Sequence, residues 1–215
     1  MNIALHTKYP KTPHLPWSKG ICSDDTIISS LTVLQSHDVV VTIKMDGENT
    51  SLYSDGTHAR SCTSRHHISR DWIKQFHASI AWNIDPALHL IGEYCYAKHS
   101  IHYHHLDHFF YLFAVKKEHM FLSWNDVCYW ADRISVPTVP VLYQGPWNES
   151  IIKSICPDTY QEDLVEGYVV RIANGYQETD HSLSIAKCVR SNHNQTDSSW
   201  KRSTIIPNKL TSVSN

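Results

Sequence analysis

The chain lacks any run approaching the roughly 20 apolar residues that a membrane-spanning helix needs. Met1 to Trp17 have no apolar signal-peptide core and are interrupted by Pro10, Pro13 and Pro16, so the expectation is a cytoplasmic protein without membrane contact. The six cysteines (Cys22, Cys62, Cys95, Cys128, Cys156, Cys188) include no CxxC pair. That spacing excludes a zinc ribbon and a disulfide-stapled miniprotein, and suggests reduced, mostly buried thiols. Strong charge of one sign is also missing. Nineteen Lys and Arg against 21 Asp and Glu leave a net charge of -2 with the 16 histidines neutral. This is not the footprint of a non-specific nucleic-acid binder, although cations converging on one groove would still serve a nucleic-acid enzyme. Repeats and low-complexity tracts are absent.

What remains is one domain's length, 215 residues, with 41% hydrophobic and 19% charged residues. The β-branched run Val39 to Ile43 predicts a buried strand that delivers Lys44 at its end. Thr50 to Tyr53 and His58 to Ser61 flank Asp55-Gly56, a tight-turn signal. Trp72, Phe76 and Ile80 recur every four residues, predicting an amphipathic helix capped by Ser69 and running to about Trp82. Further strands are expected over His89 to Tyr96, Phe109 to Lys116, Gly167 to Ile172 and Ser184 to Val189. A helix start is expected at Ser123 and Asp126. Many strands, few helices and no βαβ alternation indicate an α+β domain. An extended arm over about 1–20 and a polar tail over about 191–215 flank it.

The chemistry concentrates at Lys44-Met45-Asp46-Gly47-Glu48-Asn49. A lysine at a strand end, partly desolvated and beside other cations, can lose its proton and act as a nucleophile. Asp46 would orient the amine or a metal, and Gly47 lets the backbone pass close to a ligand. KxDG alone is short enough to arise often by chance. Leu90-Ile91-Gly92-Glu93-Tyr94 and Glu166-Gly167-Tyr168-Val169-Val170-Arg171 each add a carboxylate in an apolar setting. Such a group is costly unless it meets a cation, a metal or a ribose hydroxyl. Ser184 to Arg190 supplies cations on a strand, and Arg60 to Arg65 is basic and hydroxyl-rich; both suit phosphate.

In this order the segments resemble the covalent nucleotidyltransferases: DNA ligases, RNA ligases and mRNA capping enzymes. Lys44 to Gly47 resembles motif I, Ile91 to Tyr94 motif III, Phe113 the aromatic of motif IIIa, Glu166 to Arg171 motif IV and Ala186 to Arg190 motif V. Lys11 to Pro16, Asp46 to Thr50, Ala97 to Ile101, Asn192 to Thr196, Trp200 and Pro207-Asn208 are most similar to ATP-dependent RNA ligases of the RNA ligase 2 type.

The resemblance implies a single minimal adenylyltransferase domain over 1–215, ATP-grasp-like, with antiparallel sheets and flanking helices and with neither an OB nor a helical C-terminal domain. It implies ATP with Mg²⁺ (or Mn²⁺), and RNA bearing 5′-phosphate and 3′-hydroxyl ends, including nicked duplex, with an auxiliary protein or domain as a further partner. Lys44 would carry AMP, and Phe113 would stack on adenine. Glu93 would bond the ribose, and Arg60 the sugar or the acceptor phosphate. Asn49 would lie near the α-phosphate or its metal, Glu166 and Asp46 would serve the metal, and Lys187 the α-phosphate. Two departures stand out. Ile43 occupies the position where many relatives have glutamate, and Val189-Arg190 stand where many have a second motif V lysine, leaving Arg190 as a candidate nucleotide contact. The cluster His99, His102, His104, His105 and His108 matches no metal-site spacing. A DNA ligase, a GTP-dependent capping guanylyltransferase and a non-catalytic nucleotide- or RNA-binding module are the alternatives.

Overall fold

The computed structural model describes residues 4–63, 67–191 and 204–211. Ser64, Arg65 and His66, and in the tail Asn192 to Thr196 and Trp200, lie outside them. A one-turn helix, α1 (Thr32–Gln35), leads into β1 (Asp38–Lys44), whose Val39, Val40 and Val41 are fully buried. β2 (Glu48–Tyr53) and β3 (Gly56–Ala59) form the expected hairpin, with Tyr53 paired to Gly56. α2 (Asp71–Ile80) presents Trp72 and Phe76 as a stacked pair with ring centres 5.3 Å apart. Its start departs from expectation. A tight turn over Ile68–Arg70 precedes the helix, and the ring of His67 accepts the Ser69 amide, so Ser69 is buried inside that turn and is not the cap.

β4 (Leu88–Tyr94), β5 (Phe110–Lys117) and the short β6 (Met120–Phe121) follow. α3 (Trp124–Arg133) opens on a reciprocal capping box: the Ser123 hydroxyl accepts the Asp126 amide, and the Asp126 carboxylate accepts the Ser123 amide. The remaining elements are β7 (Val141–Pro146), α4 (Glu149–Ser154), β8 (Thr159–Tyr160), β9 (Asp163–Leu164), β10 (Gly167–Ile172), β11 (Tyr176–Gln177), α5 (His181–Ser184) and β12 (Ile185–Val189). β7 was not anticipated. It carries Gly145 and Pro146 and none of its six residues is fully buried, so it shows no alternating pattern, and it survives as an edge strand on β1.

The strand pairings are antiparallel and form two larger sheets, ordered β12-β10-β1-β7 and β11-β6-β5-β4-β2-β3, plus the β8-β9 hairpin. This is the α+β architecture that the strand-rich pattern predicts, with the antiparallel sheets and flanking helices that the resemblance implies. The arm adds to the free edge of β12: Leu15 donates to the Lys187 carbonyl and Lys187 to the Pro13 carbonyl, both at 2.8 Å. At the other end of the chain, Asn208 is buried, and its side chain donates to the Cys95 carbonyl and accepts from the Tyr103 amide. Among the described residues no helix is long and apolar enough to cross a membrane.

Candidate active site

Strand register decides which groups meet. In the first sheet Lys44 pairs with Gly167, and Thr42 pairs with Val169, which pairs in turn with Lys187. Alternate residues of one strand share a face, so Thr42 and Lys44, Val169 and Arg171, and Ile185 and Lys187 form one wall of a cleft. The second sheet supplies the facing wall, with Asn49 from β2, Glu93 from β4 and Phe113 from β5. The cleft encloses about 600 Å³.

Lys44, with its side chain 25% exposed, donates from Nζ to Glu166 Oε2 at 2.5 Å, and the Glu166 side chain is only 3% exposed. Burial alone would lower the Lys44 pKa, but Glu166, Glu93 and Asp46 outweigh it and hold the ammonium above the ordinary lysine value. The neighbours of Lys44 are therefore carboxylates rather than the cations expected from the sequence, so its proton must be taken by an acceptor. Glu93 is the opposite case. Burial, with Glu166 and Asp46 as like charges, pushes its carboxyl up to about 8 despite Lys44 and the Gly47 amide, which donates to it at 3.1 Å.

Gly47 is required by close approach: a Cβ there would sit 2.6 Å from the Tyr94 carbonyl oxygen. Asp46 Oδ2 accepts the amides of Ser100 and Ile101 and the Ser100 hydroxyl at 2.7–2.8 Å, while its own amide donates to the Tyr103 hydroxyl. The histidine-rich loop thus anchors the lysine motif. It also anchors the approach to Glu166, because the amides of His104 and His105 donate to the Asp163 carboxylate. Asn49 Oδ1 is buried without a hydrogen-bond partner, a polar atom left for a ligand. Arg60 is exposed at the cleft mouth.

Of the residues singled out from sequence, Lys44, Asp46, Asn49, Arg60, Glu93, Phe113, Glu166 and Lys187 line this cleft. Arg190 does not. Its guanidinium donates to the Cys156 and Pro157 carbonyls and pairs with Asp158 at 3.0 Å, on the far side of β12. Sequence reasoning missed Thr42, Trp124 and Asp25. Thr42 was findable, standing two residues before Lys44 on a strand. Asp25 had no local signal; it reaches Lys187 across 162 positions.

The two sheets and the cleft between them form the nucleotidyltransferase fold of polynucleotide ligases. A mutant of the Naegleria gruberi RNA ligase with ATP and Mn superposes with a TM-score of 0.55 at 15% identity, covering 88% of this chain and 60% of that one. A second, apo mutant of that ligase gives 0.53 at 16%, covering 88% and 59%. A candidate ATP-dependent DNA ligase from Aquifex aeolicus gives 0.52 at 17%, covering 85% and 50%. The chain thus spans at most about 60% of the length of these proteins. No curated protein sequence matches it. Residues 37–189 match the RNA ligase family model, and the chain belongs to the RNA ligase family.

Proposed function

We propose that the chain is an ATP-dependent RNA ligase that joins 5′-phosphate and 3′-hydroxyl ends, as in RNA repair, through AMP held on Lys44. One observation carries the reading: Lys44, Glu93, Phe113, Glu166 and Lys187, drawn from both sheets, converge on a single cleft. A volume of about 600 Å³ suits a nucleotide-sized ligand. The ATP and Mn held by the Naegleria ligase mutant support the same choice of nucleotide and metal class.

In this reading Phe113 stacks on adenine, and Glu93, protonated near neutral pH, exchanges hydrogen bonds with the ribose. Glu166 takes the Lys44 proton across their 2.5 Å contact. The freed amine lone pair forms a P–N bond to the α-phosphorus as the P–O bond to pyrophosphate breaks. Lys187 neutralises charge on the α-phosphate, and Arg60 meets the sugar or the acceptor phosphate. An RNA 5′-phosphate oxygen then attacks the same phosphorus, and the leaving amine recovers its proton from Glu166. Finally the 3′-hydroxyl oxygen attacks the capped 5′-phosphorus, its proton passes to water, and the P–O bond to AMP breaks so that AMP departs. Catalysis of this kind rests on positioning and charge neutralisation.

The site's oxygen donors fit a hard divalent cation. Among the described residues no three Asp, Glu, His or Cys side chains form a protein-only cage. Mg²⁺ or Mn²⁺ would therefore be held by Glu166 and the unpartnered Asn49 Oδ1 together with water and phosphate. Asp46, with Oδ2 already accepting three donors, would act chiefly by orienting the motif. When bound, the ion neutralises phosphate charge.

The test is incubation with α-labelled ATP and Mg²⁺. Wild type should form an acid-labile adduct that Lys44→Met lacks, and with 5′-phosphorylated nicked RNA it should yield AMP-capped and sealed strands. An adduct with GTP alone, or faster sealing of DNA, would replace this reading with a capping or DNA-joining activity. An adduct that survives in Lys44→Met would refute it.

A further inference from the structure

The structure pairs Lys187 of β12 with a carboxylate from the segment that follows the N-terminal arm. Lys187 Nζ donates to Asp25 Oδ1 at 3.1 Å, with side chains only 16% and 14% exposed. Both residues line the cleft beside Lys44. The contact is built into the fold. The Asp25 carboxylate accepts the Cys22 amide at 3.1 Å, and its Oδ2 lies 3.1 Å from Nε2 of the fully buried His14. His14 Nδ1 and the Ser18 hydroxyl share a hydrogen bond at 2.7 Å, and the Ser18 oxygen accepts the Val189 amide. With the 13–15 segment paired to Lys187, these bonds moor Asp25 to the strand that carries the lysine.

We propose that Asp25 is a built-in anion that holds Lys187 and that nucleotide phosphate must displace, so that Asp25 sets the affinity of the cleft for polyphosphate. The inference rests on the reading of Lys187 as a phosphate contact. A phosphate oxygen within hydrogen-bond reach of Lys187 would stand a few ångströms from a carboxylate that accepts the same protons. Two anions at that separation repel unless one gives way. Asn at position 25 keeps the shape and removes the charge; its one oxygen can still accept the Cys22 amide, while its NH2 cannot accept from Lys187, so the lysine is released. Asp25 differs in this from Glu166, which faces the reacting amine itself.

The test uses inorganic pyrophosphate, whose binding needs no adenylation, titrated by calorimetry into the full chain. Asp25→Asn should bind it at least about tenfold more tightly than wild type, the scale on which close charge pairs act. A Lys187→Met background should abolish the gain. In adduct formation the KM for ATP should fall while kcat changes less. Unchanged or weaker pyrophosphate binding by Asp25→Asn, or a gain that persists without Lys187, overturns the proposal. Should the Asn variant fail to fold, the wild-type Asp25 carboxyl carbon signal can be followed by NMR. It should move on pyrophosphate addition, and a signal that stays put overturns the proposal equally. Asp25-dependent pyrophosphate binding without an adduct would sink the ligase reading alone, whereas an adduct with no Asp25 effect would sink this inference alone.

Discussion

Glu93 provides a quantitative check on the electrostatics of the cleft. Its carboxyl is raised from 4.5 to about 8, with burial the largest cause. The unfolded chain therefore releases this proton near pH 4.5, while the native protein keeps it until about pH 8. Between those values the native state binds more protons than the unfolded one, so stability falls as pH rises and levels off above about 8. At roughly 1.4 kcal/mol per pH unit the full penalty is about 5 kcal/mol. Local relaxation and water entry reduce it to roughly half. Glu93→Gln keeps an oxygen for the Gly47 amide and removes the titration. Urea unfolding at intervals from pH 5 to 9 should show Glu93→Gln gaining about 2–3 kcal/mol on wild type across that range. The other titrating groups are common to both proteins and largely cancel. Parallel stability curves would refute the assignment of a half-buried, proton-retaining Glu93.

Two further outcomes follow from the geometry. Glu166→Gln removes the proton acceptor of Lys44 while keeping its shape, so single-turnover adduct formation from ATP should slow by about 100-fold; an unchanged rate would rule out this role. Gly167→Ala would put a Cβ 1.9 Å from the Cys188 carbonyl oxygen. It should cost about 1–3 kcal/mol or more in urea unfolding, and a neutral substitution would contradict the close β10-β12 packing.

Much of the fold follows from local pattern. The valine run of β1, the hairpin around Asp55 and the Ser123 capping box sit where residue chemistry alone predicts them, because each is settled by neighbours within a few positions. The entry to α2 was not legible, because the ring of His67 competes for the Ser69 amide. β7 was hidden because an edge strand with no fully buried residue does not impose alternation.

The same division runs through the site. The sequence by itself determined which chemical groups are present, their order, and their place on or beside strands, since those depend on residue type and short-range periodicity. Only the tertiary structure decided their company. Lys44 meets Glu166 across 122 positions and Lys187 meets Asp25 across 162, whereas Arg190, three residues from Lys187, turns to the Cys156 and Pro157 carbonyls. Sheet register and edge pairing set those partners, and with them the protonation of Lys44 and Glu93. A pKa depends on charges and burial in space, which no stretch of neighbouring residues encodes.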